Sequence, residues 1–583
     1  MILQALNKYY ERLKNNPNIN IAMPGFTEEK INAVLVIDDD GNLVQFKDIR
    51  EGEGKKKHPR PMIVPQSCKR TGSKAYEKPF FLWDNTGFVL GRDKKNDNKT
   101  QLKFEYFKKK HNELLCQCDE PEAQALLKFL NKWNPDDAIK LENWEELVGS
   151  NVVFQIEGNR AYLHENELLR QIWLKHADSG GIKLIEGRCS VSGKNTMIPN
   201  IHPAIKNVRG AQSSGAAIVS FNLDAFCSYN KEQNYNAPVG QNIVFAYTTA
   251  LNYLLAPDSK QKILIGDATT VFWTERDNPI EGMFGMIIDP RDLSDEDNRK
   301  VKLFVDAIRK GKQPDQIDSE TKFYILGLSP NASRLAIRFW YACSVKQLED
   351  NLAEHFNDLQ IIKSHENDPD VPSIRQILFE TINKKASDKT PQPLLAGALM
   401  RSVIEGIPYP QGLLNAIINR IRADQNINYI RTATIKAILN RKNKFFKTGL
   451  EVSEMLDKEN KNVAYLLGRL FAVLEKIQTE AQGQLNSTIK DRFWGSASAT
   501  PNVVFPQLLN LKNHHISKME NTGRAIYFEK LIGEIISDID AFPAHFSLDE
   551  QGVFAIGYYH QRQDLFTKRD NNAEDELVNK TNA

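Results

Sequence analysis

The sequence predicts an α+β protein in which a large mixed α/β region precedes an all-α helical bundle. Up to about residue 340, runs rich in β-branched and aromatic residues alternate with helical segments. Beyond residue 370, nearly every stretch has the apolar spacing of an amphipathic helix. The acidic segment IKSHENDPDVPS, which contains two prolines, separates the two patterns. We therefore expect a mixed α/β region over 1–370 and a helical bundle over 371–583.

Individual elements follow from the same patterns. The predicted strands are INAVLVID, NVVFQIEG, GAAIVSFN, KILIGDATTVFW and FYILGLS. Between them, PEAQALLKFLNKW has apolar residues at helical spacing, and Ser373 is placed to cap the first helix of the second region. The main predicted helices of that region are PLLAGALMRSVIEG, GLLNAIINRIRA, NVAYLLGRLFAVLEKIQTEAQGQL and YFEKLIGEIISDIDAF.

Composition is that of a soluble globular protein, with 41% apolar and 26% charged residues in 583. No window approaches about 18 uninterrupted apolar residues, so we expect no membrane partner. The first residues, MILQALNKYYERLKNN, lack the basic and apolar regions of a secretory signal. The six cysteines form no CxxC pair, which favours reduced thiols over a zinc site or a disulfide scaffold. We expect a cytoplasmic protein.

No catalytic constellation stands out, and we expect no catalytic residues, no metal and no cofactor. The glycines of RGAQSSGAAIVSFN are one residue too far apart for a serine nucleophile elbow, and no phosphate-binding P-loop motif occurs. One enzymatic alternative stays open, a metal-dependent nucleic-acid-processing enzyme whose ligands come from distant segments, such as Asp267 and His202. Asp267 in IGDATT is more simply interpreted as a turn residue.

Basic clusters indicate a polyanionic partner, although any one of them can be a solvated surface. They are GKKKHPRP from Gly54, FKKKH from Phe107, and the segment from Arg431 to Lys447, which carries six cations and no acid. Phe445 and Phe446 lie within the last cluster. Its cations are spread around more than one face of a helix, so about half of them could reach a single nucleic-acid strand. The candidate residues for binding a nucleic-acid strand, called strand-binding residues below, are Arg431, Lys436, Arg441, Lys442, Lys444 and Lys447.

Two glycine-containing polar segments are candidates for reading DNA. In GAQSSG, amide and hydroxyl side chains can address base edges, and glycine permits close approach to a groove. In CKRTGSKAYEKPFFLWDNTGFVLG, which begins at Cys68, charges and hydroxyls flank a glycine. The aromatic residues of that segment, Phe80, Phe81 and Trp83, are more typical of core anchors than of base-stacking residues. The candidate DNA-contacting residues are Lys69, Arg70, Thr71, Ser73, Lys74, Asn85, Gln212, Ser213 and Ser214.

Several long motifs, in order along the chain, resemble the large subunit of the type I-C CRISPR surveillance complex, Cascade. They are MILQALNKYYERL, CKRTGSKAYEKPFFLWDNTGFVLG, RGAQSSGAAIVSFNLDAFCSYNKEQNYNAPV, YILGLSPNASRLAIRFW, LNSTIKDRFWGSASATP and GYYHQRQDLF. The resemblance implies a non-catalytic DNA-recognition subunit of a crRNA-guided complex. Its α/β part would read the protospacer-adjacent motif (PAM) and help open the duplex, and its helical bundle would line the path of the displaced strand.

The resemblance also implies the partners. These are double-stranded target DNA, the displaced single strand, the crRNA-bearing backbone and crRNA-processing subunits, a small subunit, and a separate helicase-nuclease recruited by the assembled complex. The candidate contact residues above come from residue type, because the resemblance assigns no particular residue to the PAM.

A small subunit of this family can be made by internal translation of the same gene, and the sequence favours Met455 as its start. Met400 lies inside a predicted helix, and Met519 leaves too little chain for a stable bundle. A fragment beginning at Met455 is long enough for about four or five helices. Leu450-Glu451-Val452 can also be encoded as TTG-GAG-GTN, which contains the ribosome-binding hexamer GGAGGT shortly before the Met455 codon.

Overall fold

A computed structural model describes residues 2–52, 57–67, 70, 74–94, 98–177, 184–290, 294–312, 317–387, 391–483 and 486–566. Contacts divide the chain into two compact units. The first unit comprises Met1–Ile205 and Val219–Tyr253, and the second comprises Lys206–Ile218 and Leu254–Ala583. The predicted α+β class is confirmed, because strands and helices alternate in the N-terminal part and a helical stretch follows. The domain boundary near residue 370 stays a prediction.

The first unit is built around a four-stranded mixed sheet. The strands of the whole unit are β1 (Phe26–Ile31), β2 (Ala33–Ile37), β3 (Leu43–Asp48), β4 (Arg60–Pro65), β5 (Trp83–Asn85), β6 (Asn151–Ile156), β7 (Leu184–Arg188) and β8 (Asn195–Pro199). The order in the main sheet is β3-β2-β6-β5, with β2 and β6 parallel and the outer pairs antiparallel. Strands β1 and β4 form one separate antiparallel pair, and β7 and β8 form another.

Strand β2 is apolar throughout because the main sheet is covered on both faces. Ala33, Leu35 and Ile37 point into one apolar cluster, whereas Val34 points into the other. Strands β2 and β6 confirm the predictions for INAVLVID and NVVFQIEG. The helices of this unit are α1 (Ile2–Lys14), α2 (Thr86–Val89), α3 (Asn98–Leu115), α4 (Pro121–Lys132), α5 (Trp144–Leu147), α6 (Glu167–Ala177) and α7 (Gln241–Leu254).

The second unit opens with an antiparallel sheet in the order β12-β11-β10-β9. Its strands are β9 (Lys262–Ile265), β10 (Ala268–Thr274), β11 (Lys322–Asn331) and β12 (Arg334–Ser344), with α8 (Ile280–Ile288) and α9 (Asp295–Arg309) between β10 and β11. Strands β9 to β11 confirm the predictions for KILIGDATTVFW and FYILGLS. Gly266, with φ +61°, and Asp267 form the two-residue turn of the β9–β10 hairpin.

The strand predicted over GAAIVSFN is wrong. That segment forms an isolated bridge between Ala217 and Arg334 rather than a strand. Ala217 is therefore held against the start of β12 without joining the sheet as a ladder. A short continuous run of apolar residues cannot distinguish these two arrangements.

Helices follow the sheet, and no strand occurs among the described residues after β12. They are α10 (Val345–Asp358), α11 (Ile374–Phe379), α12 (Pro393–Glu405), α13 (Gln411–Asp424), α14 (Tyr429–Phe446), α15 (Val463–Gln482), α16 (Ile489–Ala497), α17 (Pro501–Ile516), α18 (Thr522–Ile536) and α19 (Leu548–Phe566). Ser373 caps α11 as predicted, because its Oγ accepts a hydrogen bond from the Gln376 amide at 3.2 Å. The helix predicted over YFEKLIGEIISDIDAF ends earlier than expected, at Ile536.

Helices α15 and α19 pack with their backbones in direct contact. A Cβ atom at Gly468 would overlap the carbonyl oxygen of Phe554, and one at Gly557 would overlap that of Tyr465. Glycine at both positions therefore permits the close approach. Polar groups also join the two helices, since the Tyr465 hydroxyl lies 2.9 Å from His560 Nδ1. We call this contact the α15–α19 seam.

Candidate nucleic-acid interface

The segment Arg209–Ala217, here called the 209–217 loop, is fixed at both ends on the sheet of the second unit. At one end, the Arg209 amide donates to Thr269 Oγ1 on β10 at 3.0 Å. At the other end, the Ala217 amide donates to the Ser333 carbonyl at 3.1 Å, and the Leu335 amide donates to the Ala217 carbonyl at 2.9 Å. The loop backbone is therefore held by hydrogen bonds on either side of its tip, to the Thr269 side chain at one end and to backbone groups at the other.

Two glycines shape the loop between these anchors. Gly210 has φ +77° and Gly215 has φ +88°, a region that residues with a Cβ rarely adopt. The Gly215 amide donates to the Gln212 carbonyl at 2.9 Å and closes a turn. Gln212, Ser213 and Ser214 are exposed, and within the described parts of the chain their side chains accept or donate no hydrogen bond. The tip offers an amide and two hydroxyls to a partner.

The candidate segment after Cys68 is only partly described. Lys69, Thr71 and Ser73 lie outside the described residues. Lys74 is exposed, with 77% of its side chain accessible, and its Nζ lies 3.9 Å from Glu77. Asn85 caps α2, because its side-chain oxygen accepts from the Gly87 amide at 3.1 Å. Lys74 is therefore better placed than Asn85 to meet an external ligand.

Arg70 is occupied by contacts within the first unit. Its guanidinium pairs with both carboxylate oxygens of the fully buried Asp84. Its Nε donates to the Lys78 carbonyl at 2.9 Å, and its Cζ lies 3.5 Å from the centroid of the Phe80 ring. Burial raises the pKa of Asp84, and the Arg70 guanidinium opposes that shift. A DNA contact by Arg70 stays a prediction, and it would require this pair to open.

The aromatic residues of the same segment anchor it in the core, as predicted for Phe81 and Trp83. Phe81 is fully buried and stacks on His111 at 5.3 Å between ring centroids. Trp83 is also buried, and its Nε1 donates to the Pro65 carbonyl at 2.8 Å. These rings therefore cannot stack on bases while the first unit is folded.

The cations of α14 lie around more than one face, as expected, but three of the six candidate strand-binding residues are buried, which corrects their assignment to a nucleic-acid surface. Arg431 is 1% exposed, and its guanidinium bonds to Glu380 at 2.8 Å and to Asp424 at 2.6 Å. Arg441 is also 1% exposed, and its Nε donates to Asp358 at 2.7 Å. Burying a cation is costly unless an acid pairs with it, and both arginines have such an acid.

Lys436 is the third buried cation of α14. Its Nζ donates to the Asp358 carbonyl at 3.1 Å, and burial lowers the pKa of the Lys436 ammonium. Burial also raises the pKa of the Asp358 carboxyl, while Arg441 opposes that shift. The buried cations of α14 belong to the interior of the helical stretch and cannot touch a nucleic-acid strand that passes over its surface.

The other end of α14 is exposed. Lys442 is partly buried and bonds to Asp549 at 2.5 Å, whereas Lys444 pairs with Glu354 but keeps 62% of its side chain accessible. Lys447 is exposed and ends the helix in a left-handed conformation, with φ +52°. Phe445 and Phe446, beside them, are 47% and 64% exposed. We call Lys444, Phe445, Phe446 and Lys447 the α14 tip.

The two residues of the enzymatic alternative have structural roles. Asp267 pairs with Arg338 on β12 at 2.8 Å. His202 belongs to the other compact unit and lies 2.7 Å from the Tyr247 hydroxyl, and burial lowers the pKa of His202 to about 4. Across the described ranges, no group of three or more His, Cys, Asp or Glu residues is placed to hold a metal ion.

Exposed polar loops and a basic, aromatic helix end are typical of proteins that bind nucleic acid. A family model described as CRISPR-associated protein (Cas_Csd1) matches residues 6–566, nearly the whole chain. The chain therefore belongs to this CRISPR-associated family. No curated protein matches the chain. In the part of the chain that the structure describes, no helix is both long and apolar enough to span a membrane.

Proposed function

We propose that this chain is the large subunit of a type I-C Cascade complex, a non-catalytic subunit that reads the PAM and helps open the target duplex. Membership of the CRISPR-associated family supports a role in crRNA-guided defence. The observation that carries the specific role is the 209–217 loop, whose exposed side chains stand on a backbone fixed at both ends. Base readout requires a fixed backbone and polar side chains that are free to contact base edges.

Little protein contact is needed for this task. Base pairing between guide and target selects the sequence, so the protein has to recognise only a few base pairs. Gln212 carries an amide that can bond to two positions on adenine, and Ser213 and Ser214 can bond to several base edges. Gly210 lets the loop lie close to β11, since an added Cβ would approach Pro330 Cγ to 3.3 Å.

The α14 tip is the proposed contact for the displaced strand. Lys444 and Lys447 can neutralise phosphates, and Phe445 and Phe446 can stack on bases. The other proposed partners are the crRNA-bearing backbone, the crRNA-processing subunit, a small subunit, and a helicase-nuclease that degrades the opened DNA. Chemistry on DNA would then belong to the recruited enzyme.

Substitution in the 209–217 loop tests the reading role. In a complex assembled with crRNA and its partner subunits, Gln212→Ala and Ser213→Ala should each weaken binding to PAM-containing DNA by about 1–3 kcal/mol, the usual value of a base contact. Binding should be measured by titration on matched DNA with the PAM intact or scrambled. Gln507→Ala, at an exposed position of α17, is the control and should change neither affinity. Equal losses on both DNAs would contradict base readout.

We also propose that a separate small subunit begins at Met455. Met455 lies in the segment between α14 and α15 and is 63% exposed, whereas Met400 is fully buried within α12. A start at Met455 cuts no helix, and the fragment keeps α15 to α19 together with the α15–α19 seam. In the full chain these helices share one apolar core with α13 and α14, so the fragment alone would expose the face of α19 that packs on those two helices.

Synonymous recoding tests the internal start. Changing the codons of Leu450-Glu451-Val452 without changing the protein should remove a C-terminal fragment that co-purifies with the full chain. Equivalent recoding of Leu470-Phe471-Ala472, downstream of Met455, should leave the fragment unaffected. A fragment that persists after the first change would show that translation does not start there.

A further inference from the structure

The segment after the 209–217 loop, in the first unit, contains an unusually exposed tyrosine. Tyr229 is 94% exposed. Every residue of 222–232 except Cys227 is exposed, and the segment contains one 3-10 turn, Asp224–Phe226. An aromatic ring usually buries much of its surface in a folded protein, so full exposure of Tyr229 requires an explanation.

The backbone of this segment is strained. Tyr229 has φ +54°, Asn230 has φ +55° and Gln233 has φ +49°. Asparagine tolerates the left-handed region, but tyrosine and glutamine are unfavourable there because of their Cβ atoms. Such residues persist only where surrounding structure fixes them, and they cluster at functional sites. The strained backbone is consistent with a conformation that is retained because it exposes the Tyr229 ring.

Asn236 fixes the strained backbone. Its Oδ1 accepts from the Ser228 amide at 2.8 Å, and its Nδ2 donates to the carbonyls of Lys231 at 2.8 Å and Gln233 at 3.0 Å. Buried Asn234 anchors the same turn, because its backbone amide donates to the Asn200 carbonyl at 3.1 Å. Tyr229 is therefore presented by a braced turn rather than by a free loop.

We propose that the ring of Tyr229 stacks on an unpaired nucleobase of the target DNA at the point where the duplex opens. This proposal rests on the DNA-recognition function proposed above and adds a specific residue to it. The four side chains that follow the ring, 230–233, are polar, which suits contact with one base face and the backbone beside it. The exposed Leu223 and Phe226 precede the ring, and the variants below test whether they belong to a protein interface instead. Lys231 supplies a cation for the adjoining phosphate.

The test uses the full chain in a complex with crRNA and its partner subunits. The probe is a target duplex carrying 2-aminopurine at the first opened position, with affinity and fluorescence measured together. Tyr229→Ala should weaken binding about tenfold and raise the 2-aminopurine fluorescence of the bound target above that of the unmodified complex, because the opened base loses the ring that stacks on it and quenches it. Tyr229→Phe keeps the ring and should behave as the unmodified complex. Ile139→Ala removes another exposed apolar side chain of the same unit and should have no effect.

Two further variants separate stacking from folding. Tyr229→Gly removes the ring and relieves the left-handed strain, so the chain should melt no lower than before while binding falls as in Tyr229→Ala. Asn236→Ala keeps the ring but releases the brace, and it should weaken binding. The double variant Tyr229→Ala, Asn236→Ala should bind no more weakly than Tyr229→Ala, because the two changes remove the same stacking contact.

Three outcomes would overturn the proposal. If Tyr229→Ala binds like the unmodified complex while Gln212→Ala does not, Tyr229 has no role although the proposed function survives. If Tyr229→Ala prevents assembly but leaves DNA binding of the assembled fraction unchanged, the exposed segment with Leu223 and Phe226 is a protein interface. If the unmodified complex binds guided targets without any preference for the flanking sequence, the proposed function itself fails.

Discussion

Helices α14 to α19 and the 209–217 loop use the same residue types for opposite purposes. In the helices, Gly468 and Gly557 remove side chains so that two backbones can touch. Arg431 and Arg441 are cations there, but buried acids neutralise them. In the loop, glycines supply positive φ angles, and the polar side chains between them face solvent.

The difference teaches that a count of cations overestimates a nucleic-acid surface. A buried cation that is paired with an acid cannot bind phosphate, whereas an exposed one such as Lys444 can exchange its acid for a phosphate, because surface ion pairs are weak. The loop has no charge at its tip, yet its position on the sheet leaves its donors and acceptors available. Accessibility and a fixed backbone are better indicators of recognition than charge is.

Removal of a buried cation should have the largest effect. Arg441→Ala removes the guanidinium that pairs with the largely buried Asp358 carboxylate and should destabilise the second unit by about 3–5 kcal/mol, measured by urea unfolding. Lys447→Ala removes the same charge from the exposed end of α14 and should change stability by less than about 0.5 kcal/mol. Similar losses for the two variants would show that Arg441 is not buried as described.

The pH dependence of Arg441→Ala has a defined sign. Burial already raises the pKa of Asp358 above its unfolded value, and loss of Arg441 removes an influence that lowers it. A carboxyl with a raised folded pKa binds its proton more readily when folded, so its unfavourable effect diminishes as the pH falls. The stability deficit of Arg441→Ala, relative to the unmodified chain, should therefore shrink from neutral pH towards the ordinary carboxyl range.

A methyl group in the α15–α19 seam should have the next largest effect. Gly468→Ala forces the helices apart and should destabilise the second unit by at least about 1–3 kcal/mol in the same unfolding experiment. Gly533→Ala, in α18, is the matched control because a Cβ there meets nothing within 4 Å. It should stabilise the helix by about 0.5–1 kcal/mol. Equal responses at both positions would contradict the close packing of α15 and α19.

The α14 tip should give the smallest effect, on binding rather than stability. The double change Lys444→Glu, Lys447→Glu should weaken binding to all target sequences alike and reduce the salt slope of log K by up to about 1 per lost phosphate contact. The measurement is the affinity for target DNA at several salt concentrations. Lys74→Glu, which changes an exposed candidate cation of the first unit, is tested in parallel. An unchanged slope for the double variant would mean that the α14 tip is only solvated.

Much of the fold could be predicted because its signals are local. The apolar run of β2, the two-residue turn at Gly266-Asp267 and the cap at Ser373 each depend on neighbouring residues. The GAAIVSFN prediction failed because pairing with β12 is decided by residues far along the chain. Local patterns report propensity, whereas sheet membership is a tertiary property.

The candidate site could be predicted only in part, for the same reason. The glycines and polar residues of GAQSSG indicated an exposed loop, which the structure has. Burial of Arg431 and Arg441 was not predictable, because the buried acid Glu380 that pairs with Arg431 lies 51 residues earlier and Asp358, which pairs with Arg441, lies 83 residues earlier; only Asp424 is close to Arg431 in the sequence. Tyr229 was also missed, since a sequence does not display the sign of a φ angle.

The α15–α19 seam also has a consequence for biosynthesis. Tyr465 and His560, which join the seam, are 95 residues apart in sequence. At about 5–20 residues per second, the ribosome finishes α19 roughly 5–20 seconds after α15 has been made. During that interval the apolar side of α15 lacks its main partner and is open to aggregation or chaperone binding. A message truncated before the codons of α19 would make that exposure permanent, so burial of this side of α15 depends on synthesis of α19.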